Sequence, residues 1–369
     1  MISFQPSEEQ GQIIDMVKRF AADVVRTNAH DCEENKEIPD DLLAKFWELG
    51  LIANAIPEDC GGYGYERSAV TGALIAEELA YGDMGLALAM LSPTLFAYPI
   101  LEMGTDEQMK KYLPQFCGEA FKFATAALME PRVAFDPTNL KTAVRREGEE
   151  YVLNGEKCLV PFADRADLFL VFAATSPGAG AAGVEGYIVE KGTEGLQVGD
   201  REKYMGLNAL PLHKVNFAEC KVPLENRLGG SRGCDFQRIL NLSRISWSAM
   251  AAGVCNAATD YAADYAKERV QFGEPIASRQ AIAFMLADMA TETDAMRFLA
   301  WKAAWLADKE EDCTREAYLA KLYAGDYAAR ITDNGVQVLG GHGYIREYPM
   351  ELWFRNGRGI EIIDGLAIV

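Results

Sequence analysis

The chain has 369 residues, with 36 Lys plus Arg against 55 Asp plus Glu and a formal net charge of −19 at pH 7. At about 150 residues per domain that length predicts two or three domains, and 49% hydrophobic with 25% charged residues excludes wholesale disorder. So acidic a balance argues against nucleic acid or an anionic membrane surface as partner, since both require clustered positive charge, and leaves room for an anionic small ligand held by a few local cations.

Residues 1–120 read as helices. From Phe4 to Val25 apolar side chains recur at helical spacing, with Ser7-Glu8-Glu9-Gln10 as a capped start. Leu42–Leu49 predicts a short helix, Ile56–Gly64 a loop, Ala69–Tyr81 and Ala87–Gly104 buried helices, and Thr105–Phe116 a capped amphipathic one. Between 121 and 232 the period changes. Ala143–Arg146 and Tyr151–Leu153 flank a charged turn, Asn154-Gly155 carries a hairpin signal, and Leu168–Ala173, Gly186–Val189 and Lys214–Phe217 predict further short strands. Ser176–Gly183 is a flexible connection and not a phosphate loop. Strands of this spacing predict a small antiparallel β-barrel or sandwich. From 233 to 369 long helical stretches return at Phe236–Glu268, Ile276–Ala307 and Arg315–Leu339, which predict a helical bundle. The expected fold is therefore α+β, with domains at 1–120, 121–232 and 233–369.

No run approaches the roughly 18 apolar residues of a membrane span, and the first residues lack the regions of a secretory signal, which predicts a cytoplasmic protein. Eight scattered cysteines without a C-x-x-C pair predict neither disulfides nor zinc, and three isolated histidines predict no metal site.

Five local patterns, in order, carry a family resemblance. They are Ile56-Pro57-Glu58 with Gly61-Gly62-Tyr63-Gly64; Met129-Glu130-Pro131 followed by Asp136; Tyr151 to Lys157 with Asn226-Arg227-Leu228-Gly229; Arg269-x-x-Phe272-Gly273 followed by Ile276 and Gln280; and Gln337-x-x-Gly340-Gly341-x-Gly343-Tyr344 followed by Pro349. Over essentially its whole length the chain resembles the acyl-CoA dehydrogenase superfamily. The resemblance implies an N-terminal helical domain, a central β-domain and a C-terminal four-helix bundle. It also implies FAD as cofactor, an acyl-CoA as substrate oxidised to its 2,3-enoyl form within fatty acid metabolism, and an electron-transfer flavoprotein as acceptor. A homodimer or homotetramer is implied, because relatives bind the FAD adenine end from a neighbouring subunit.

Such a reaction needs one carboxylate as base for the α-proton, a groove for the flavin, and a slot between them for the acyl chain. By resemblance the base is Asp364, which stands before Gly365 where most relatives carry Glu; the alternative family position holds Ser243, before Arg244. Arg269, Phe272, Gln280, Gln337, Gly340 and Gly341 match the adenine and pyrophosphate contacts, where Arg pairs with phosphate and glycine admits backbone N–H groups. The expected substrate-side residues are Arg244, Asn241, Leu95 and Phe96, with Leu91, Met129 and Trp247 as further candidates for the slot. His342 is expected as a loop residue and Tyr348-Pro349 as packing. Four ring-side positions depart from the pattern: Met129, Phe135 and Pro161 replace residues whose hydroxyls bond the flavin ring and a phosphate, and cannot donate such bonds, while Leu159 stands where relatives often carry Trp. That departure also fits a flavin-poor subunit of a mixed oligomer, and a third reading is a flavoprotein of the same fold acting on a substrate other than a CoA thioester.

Overall fold

A computed structural model describes residues 5–365 and 367–369. The N-terminal segment is helical: α1 (Glu8–Phe20), α2 (Arg26–Asn35), α3 (Asp40–Trp47), α4 (Ala69–Gly82), α5 (Met84–Leu91), α6 (Thr94–Met103) and α7 (Asp106–Tyr112). The Ser7 capping box forms as expected: the Ser7 hydroxyl accepts from Gln10 N, and the Gln10 side chain accepts from Ser7 N. One expectation needs correcting. The apolar run 87–104 is two helices, α5 and α6, bent by 47°. Pro93 has no N–H to continue the ladder, so the first helix ends at Leu91.

The middle segment holds β1 (Ala124–Ala127), β2 (Ala143–Glu147), β3 (Glu150–Pro161), β4 (Leu168–Ala174), β5 (Val184–Glu190), β6 (Leu196–Arg201) and β7 (Leu212–Pro223). They form one sheet in the order β1-β4-β2-β3-β7-β6, with β5 on the other flank of β4. The pairings are antiparallel except those of β4 with β1 and with β2, which are parallel. All of β4 is buried because both its faces are covered: Leu168, Leu170 and Phe172 join the core shared with the helices, while Phe169, Val171 and Ala173 join an apolar core inside the sheet.

The hairpin signal at Asn154-Gly155 is also corrected. Both residues lie inside β3, and the β2–β3 turn is at Gly148-Glu149. Gly155 marks a bulge at φ +153°, where an added Cβ would meet the Thr142 side chain at 2.5 Å. Asn154 exchanges hydrogen bonds with Glu219 across the strands, its Oδ1 accepting from Glu219 N at 2.9 Å.

The C-terminal segment is α8 (Phe236–Glu268), the two-residue strands β8 (Val270–Gln271) and β9 (Glu274–Pro275), α9 (Gln280–Asp308), α10 (Thr314–Leu339), the one-turn α11 (Gly341–Tyr344), and α12 (Met350–Ile362). α8 runs through the bundle and buries Trp247, Met250 and Val254 completely. Among the described residues no single helix is long and apolar enough to cross a membrane; the bent pair α5 and α6 passes only as a pair, and it is buried.

A buried polar chain ties these segments together. Asp83 caps α5 by accepting from Leu86 N at 2.8 Å, and its other oxygen accepts from Asn356 Nδ2 at 3.3 Å. Asn356 Oδ1 in turn accepts from Leu207 N at 2.7 Å. Burial pushes the Asp83 carboxyl up to about 6. The folded chain therefore holds this proton more tightly than the unfolded one. The associated stability is complete below the ordinary Asp range and is lost as pH rises through about 6. We expect thermal unfolding to shift down between pH 5 and 7.5, and Asp83→Asn to remove a component of at most about 3 kcal/mol from that dependence. An identical pH slope in parent and variant would contradict the assignment.

Candidate active site

α12 ends at Ile362, and the chain turns through an extended Ile363 and Asp364 into Gly365 at φ +73°. The Asp364 backbone N–H donates to the Met129 Sδ at 3.3 Å, which seats the turn against the loop after β1. Asp364 Oδ1 is buried and has no hydrogen-bond partner among the described residues. One other buried carboxylate oxygen is unpartnered, Glu77 Oε2, but the second oxygen of Glu77 is engaged by Arg297 Nε at 2.5 Å. An open lone pair on a carboxylate without an ion pair is chemically unusual. It is what a proton-abstracting group requires.

Beside this turn lies a narrow apolar slot lined by Leu95, Ala126, Leu128, Phe172, Phe236, Leu240 and Ser243. Ala367 and Ile368 lie on it and, with Val369, are almost fully buried. Thr94 Oγ1 donates to the Ile368 carbonyl at 3.4 Å, and Arg67 donates to Val369 O. Leu95, expected on the substrate side, lines this slot. Phe96 does not: it turns into the helical core, edge-on to Tyr112 and stacked on Phe116, because the break at Pro93 rotates α6. Asn241 is spent on the bundle, donating to Thr314 Oγ1 at 3.0 Å and accepting from Gln237 at 2.8 Å. Arg244 is on the same helix, its guanidinium 5.3 Å from the Tyr318 ring centroid. No described carboxylate lies within ion-pair distance of it, which leaves its charge for a ligand. Trp247 is fully buried, with its Nε1 unpartnered.

Two further cavities are present, one adjoining the Asp364 turn and one at the opposite end of α8. One, of about 150 Å³, is lined by Leu159, Tyr204, Leu207, Leu212, Ile362 and Ile363, with Arg355 and Arg358 at its rim. Leu159 reaches it from a second irregularity of β3, at φ +56°, where its N–H donates to Glu202 at 2.8 Å. Of the other ring-side residues, Met129 faces the Asp364 turn, Phe135 lies under Arg132 at 5.8 Å, and Pro161 is buried in the pairing with Leu212.

The other cavity, of about 900 Å³, gathers Arg269, Phe272, Gly340 and Gly341 with Tyr265, Gln271, Arg279 and His342. Space beside Gly340 and Gly341 is open, so their backbone is approachable. Gln280 and Gln337 are exposed and outside this lining. The cavity adds residues that the spacing of single motifs did not single out: Arg279, which shares Phe272 by a cation–π contact at 6.0 Å, and Tyr265, whose hydroxyl meets His342 Nδ1 at 2.9 Å. His342, which falls in the one-turn α11 and not in a loop, also stacks on Tyr348 at 4.7 Å. Signals for Arg279 and Tyr265 were absent because an Arg before a helix and a Tyr on one are ordinary surface residues. The residues fit FAD: the apolar cavity lined by Ile363, beside the base turn, suits a ring system, and Arg269 with two bare glycines in the other cavity suits pyrophosphate. Among the described residues no His, Cys, Asp and Glu cluster could hold a metal ion.

Known proteins agree with this geometry. Family models match in sequence order: the N-terminal domain of acyl-CoA dehydrogenase over residues 7–120, its middle domain over 125–220 and its C-terminal domain over 235–367. The cyclohex-1-ene-1-carbonyl-CoA dehydrogenase of Geobacter metallireducens is 35% identical over 97% of this chain and 95% of its own. The caffeyl-CoA reductase–Etf complex subunit CarC of Acetobacterium woodii is 35% identical over 98% and 96%. The solved butyryl-CoA dehydrogenase of Megasphaera elsdenii superposes with a TM-score of 0.88 at 31% identity, covering 98% of this chain and 95% of that one. The chain belongs to the acyl-CoA dehydrogenase family, FAD-dependent enzymes acting on the CH–CH group of acyl-CoA thioesters.

Proposed function

We propose that Asp364 is the base that removes the α-proton of the acyl-CoA, giving the 2,3-enoyl-CoA. The observation that carries this reading is the buried, unpartnered Asp364 Oδ1, next in the chain to Gly365, which lines an apolar slot. When bound, FAD supplies the acceptor for the hydride that leaves the β-carbon. The chain does the rest. Met129 fixes the base turn through its sulfur, Leu95 and Leu240 line the acyl side of the slot, and Arg244 offers an unpaired cation to the thioester end of the ligand. Leu159, Leu207 and Ile363 flank the ring, while Arg269, Phe272, Gly340 and Gly341 of a neighbouring subunit take the adenine and pyrophosphate end. The electrons pass to an electron-transfer flavoprotein, a reading supported by the Etf complex to which the Acetobacterium relative belongs. Anaerobic bleaching of the flavin by a panel of acyl-CoAs tests the reaction. No bleaching by any of them would overturn it.

The assembly is a homodimer or homotetramer in the cytoplasm, with domain boundaries near 120 and 232. Support for the assembly comes from Phe272, 93% exposed, and Tyr344, 83% exposed, both at the adenine end, with Phe284 and Leu322 bare on α9 and α10. Light scattering of the holoprotein should give two or four times the chain mass. A strictly monomeric holoprotein would contradict it.

A further inference from the structure

We propose that Lys321 is a positioning residue for the base: its ammonium fastens the last turn of α12 and sets one positive charge beside Asp364. This rests on Asp364 being the base. Lys321 lies on α10, partly buried, and its Nζ donates to the Ile360 carbonyl at 2.5 Å. Ile360 is in the last turn of α12, four residues before Asp364, where helix carbonyls lack intrahelical partners and a cation meets the negative end of the helix dipole. The same ammonium lies 5.8 Å from the centroid of the Trp247 ring on α8. One side chain therefore bridges the three helices that frame the base turn, and the turn begins where its hydrogen bond ends.

The charged groups around Lys321 come from each of these elements. Asp364 and Glu361 face it from α12 and the turn that follows, and Arg244 faces it from α8, with Tyr318 of α10 under that guanidinium. Glu361 is engaged by Arg358. Among the described residues Asp364 makes no ion pair, and Lys321, which it faces, is not hydrogen-bonded to it. Burial holds the Lys321 ammonium below the usual lysine range, Asp364 and Glu361 opposing that shift and Arg244 adding to it.

The test is the pH profile of flavin bleaching by a good acyl-CoA in single turnover, measured on the holoprotein. Lys321→Gln keeps a donor for the Ile360 carbonyl and removes the charge. Its profile should move to higher pH, and its rate at pH 7 should fall about tenfold, with FAD content and melting temperature held. Lys321→Arg should restore the parent profile. A carboxyl titration by carbon NMR, assigned by the signal lost in Asp364→Asn, should move in the same direction. If Lys321→Gln lowers the rate equally at every pH, or leaves it unchanged, the inference is wrong. If Lys321→Gln does not fold, an Arg variant with a shifted profile overturns the proposal and an unshifted one supports it. Failure of the base reading is distinguishable, because Asp364→Asn would then bleach normally.

Discussion

Replacing Asp364 by Asn should leave FAD bound and abolish its reduction by substrate. The substitution keeps the shape of the side chain and the backbone N–H that meets Met129 Sδ at 3.3 Å, so the turn should keep its seat. What disappears is the basic lone pair of the buried oxygen, and a positioned general base contributes about 10²–10⁴-fold. Rapid-mixing bleaching under anaerobic conditions gives the number directly. Asp364→Glu is the informative companion, since its longer arm places the carboxylate further into the slot and should change which acyl chains are accepted. A variant with Asn that bleaches as fast as the parent would move the base elsewhere. The alternatives are already committed: Glu78 pairs with Lys18 at 3.4 Å, Asp83 caps α5, and Glu361 pairs with Arg358.

The second large effect concerns stability. Lys157→Met should destabilise the fold by about 3–5 kcal/mol. Lys157 is wholly buried, and its ammonium donates to the Leu128 carbonyl at 2.9 Å and to Glu130 at 3.2 Å. Burial alone would raise the Glu130 carboxyl; Lys157 and the N–H groups of Thr142 and Lys141 together hold it below its usual range. Burial conversely lowers the lysine. Remove the ammonium, and the carboxylate stays buried with two backbone donors and Arg132 at 3.4 Å. Adding Glu130→Gln to Lys157→Met should recover part of the loss, because the stranded charge is then gone. Unfolding in denaturant measures both, and a single-variant loss below about 1 kcal/mol would show that the pair is not worth its burial. Since Glu130 adjoins Met129, the damaged variant should also bleach more slowly.

Periodicity located the long helices closely, and for a physical reason. α8 is a 33-residue run with Ala and Ser packed on every side, and nothing within it competes with a helix. The short strands were harder. β1 has four small residues and β6 is mostly exposed, so neither carries the alternation that marks a half-buried strand. Asn154-Gly155 misled because the same dipeptide serves a tight turn and a bulge, and only the approach of Thr142 distinguishes them. In the site, residues read from one local pattern came together, Arg269 with Phe272 in one cavity. Residues whose role depends on the direction of a side chain did not. Phe96 follows Leu95 in sequence and points the other way, and Lys321 looks like any lysine on a helix surface until α12 is laid across it.

The segment 367–369 changes what affinity means at this site. Its side chains and an incoming acyl chain would cover the same apolar surface, that of Leu95, Leu240 and Phe236, and both cannot do so together. A ligand that reaches this surface gains no fresh burial at about 25 cal/mol per Å²; it exchanges one apolar cover for another and keeps only the difference. Discrimination between acyl groups then depends on how well each replaces Ile368 and its neighbours. An acyl group too small to replace them would bind through its CoA portion alone, and Arg244 would be felt more strongly for it than for any longer chain.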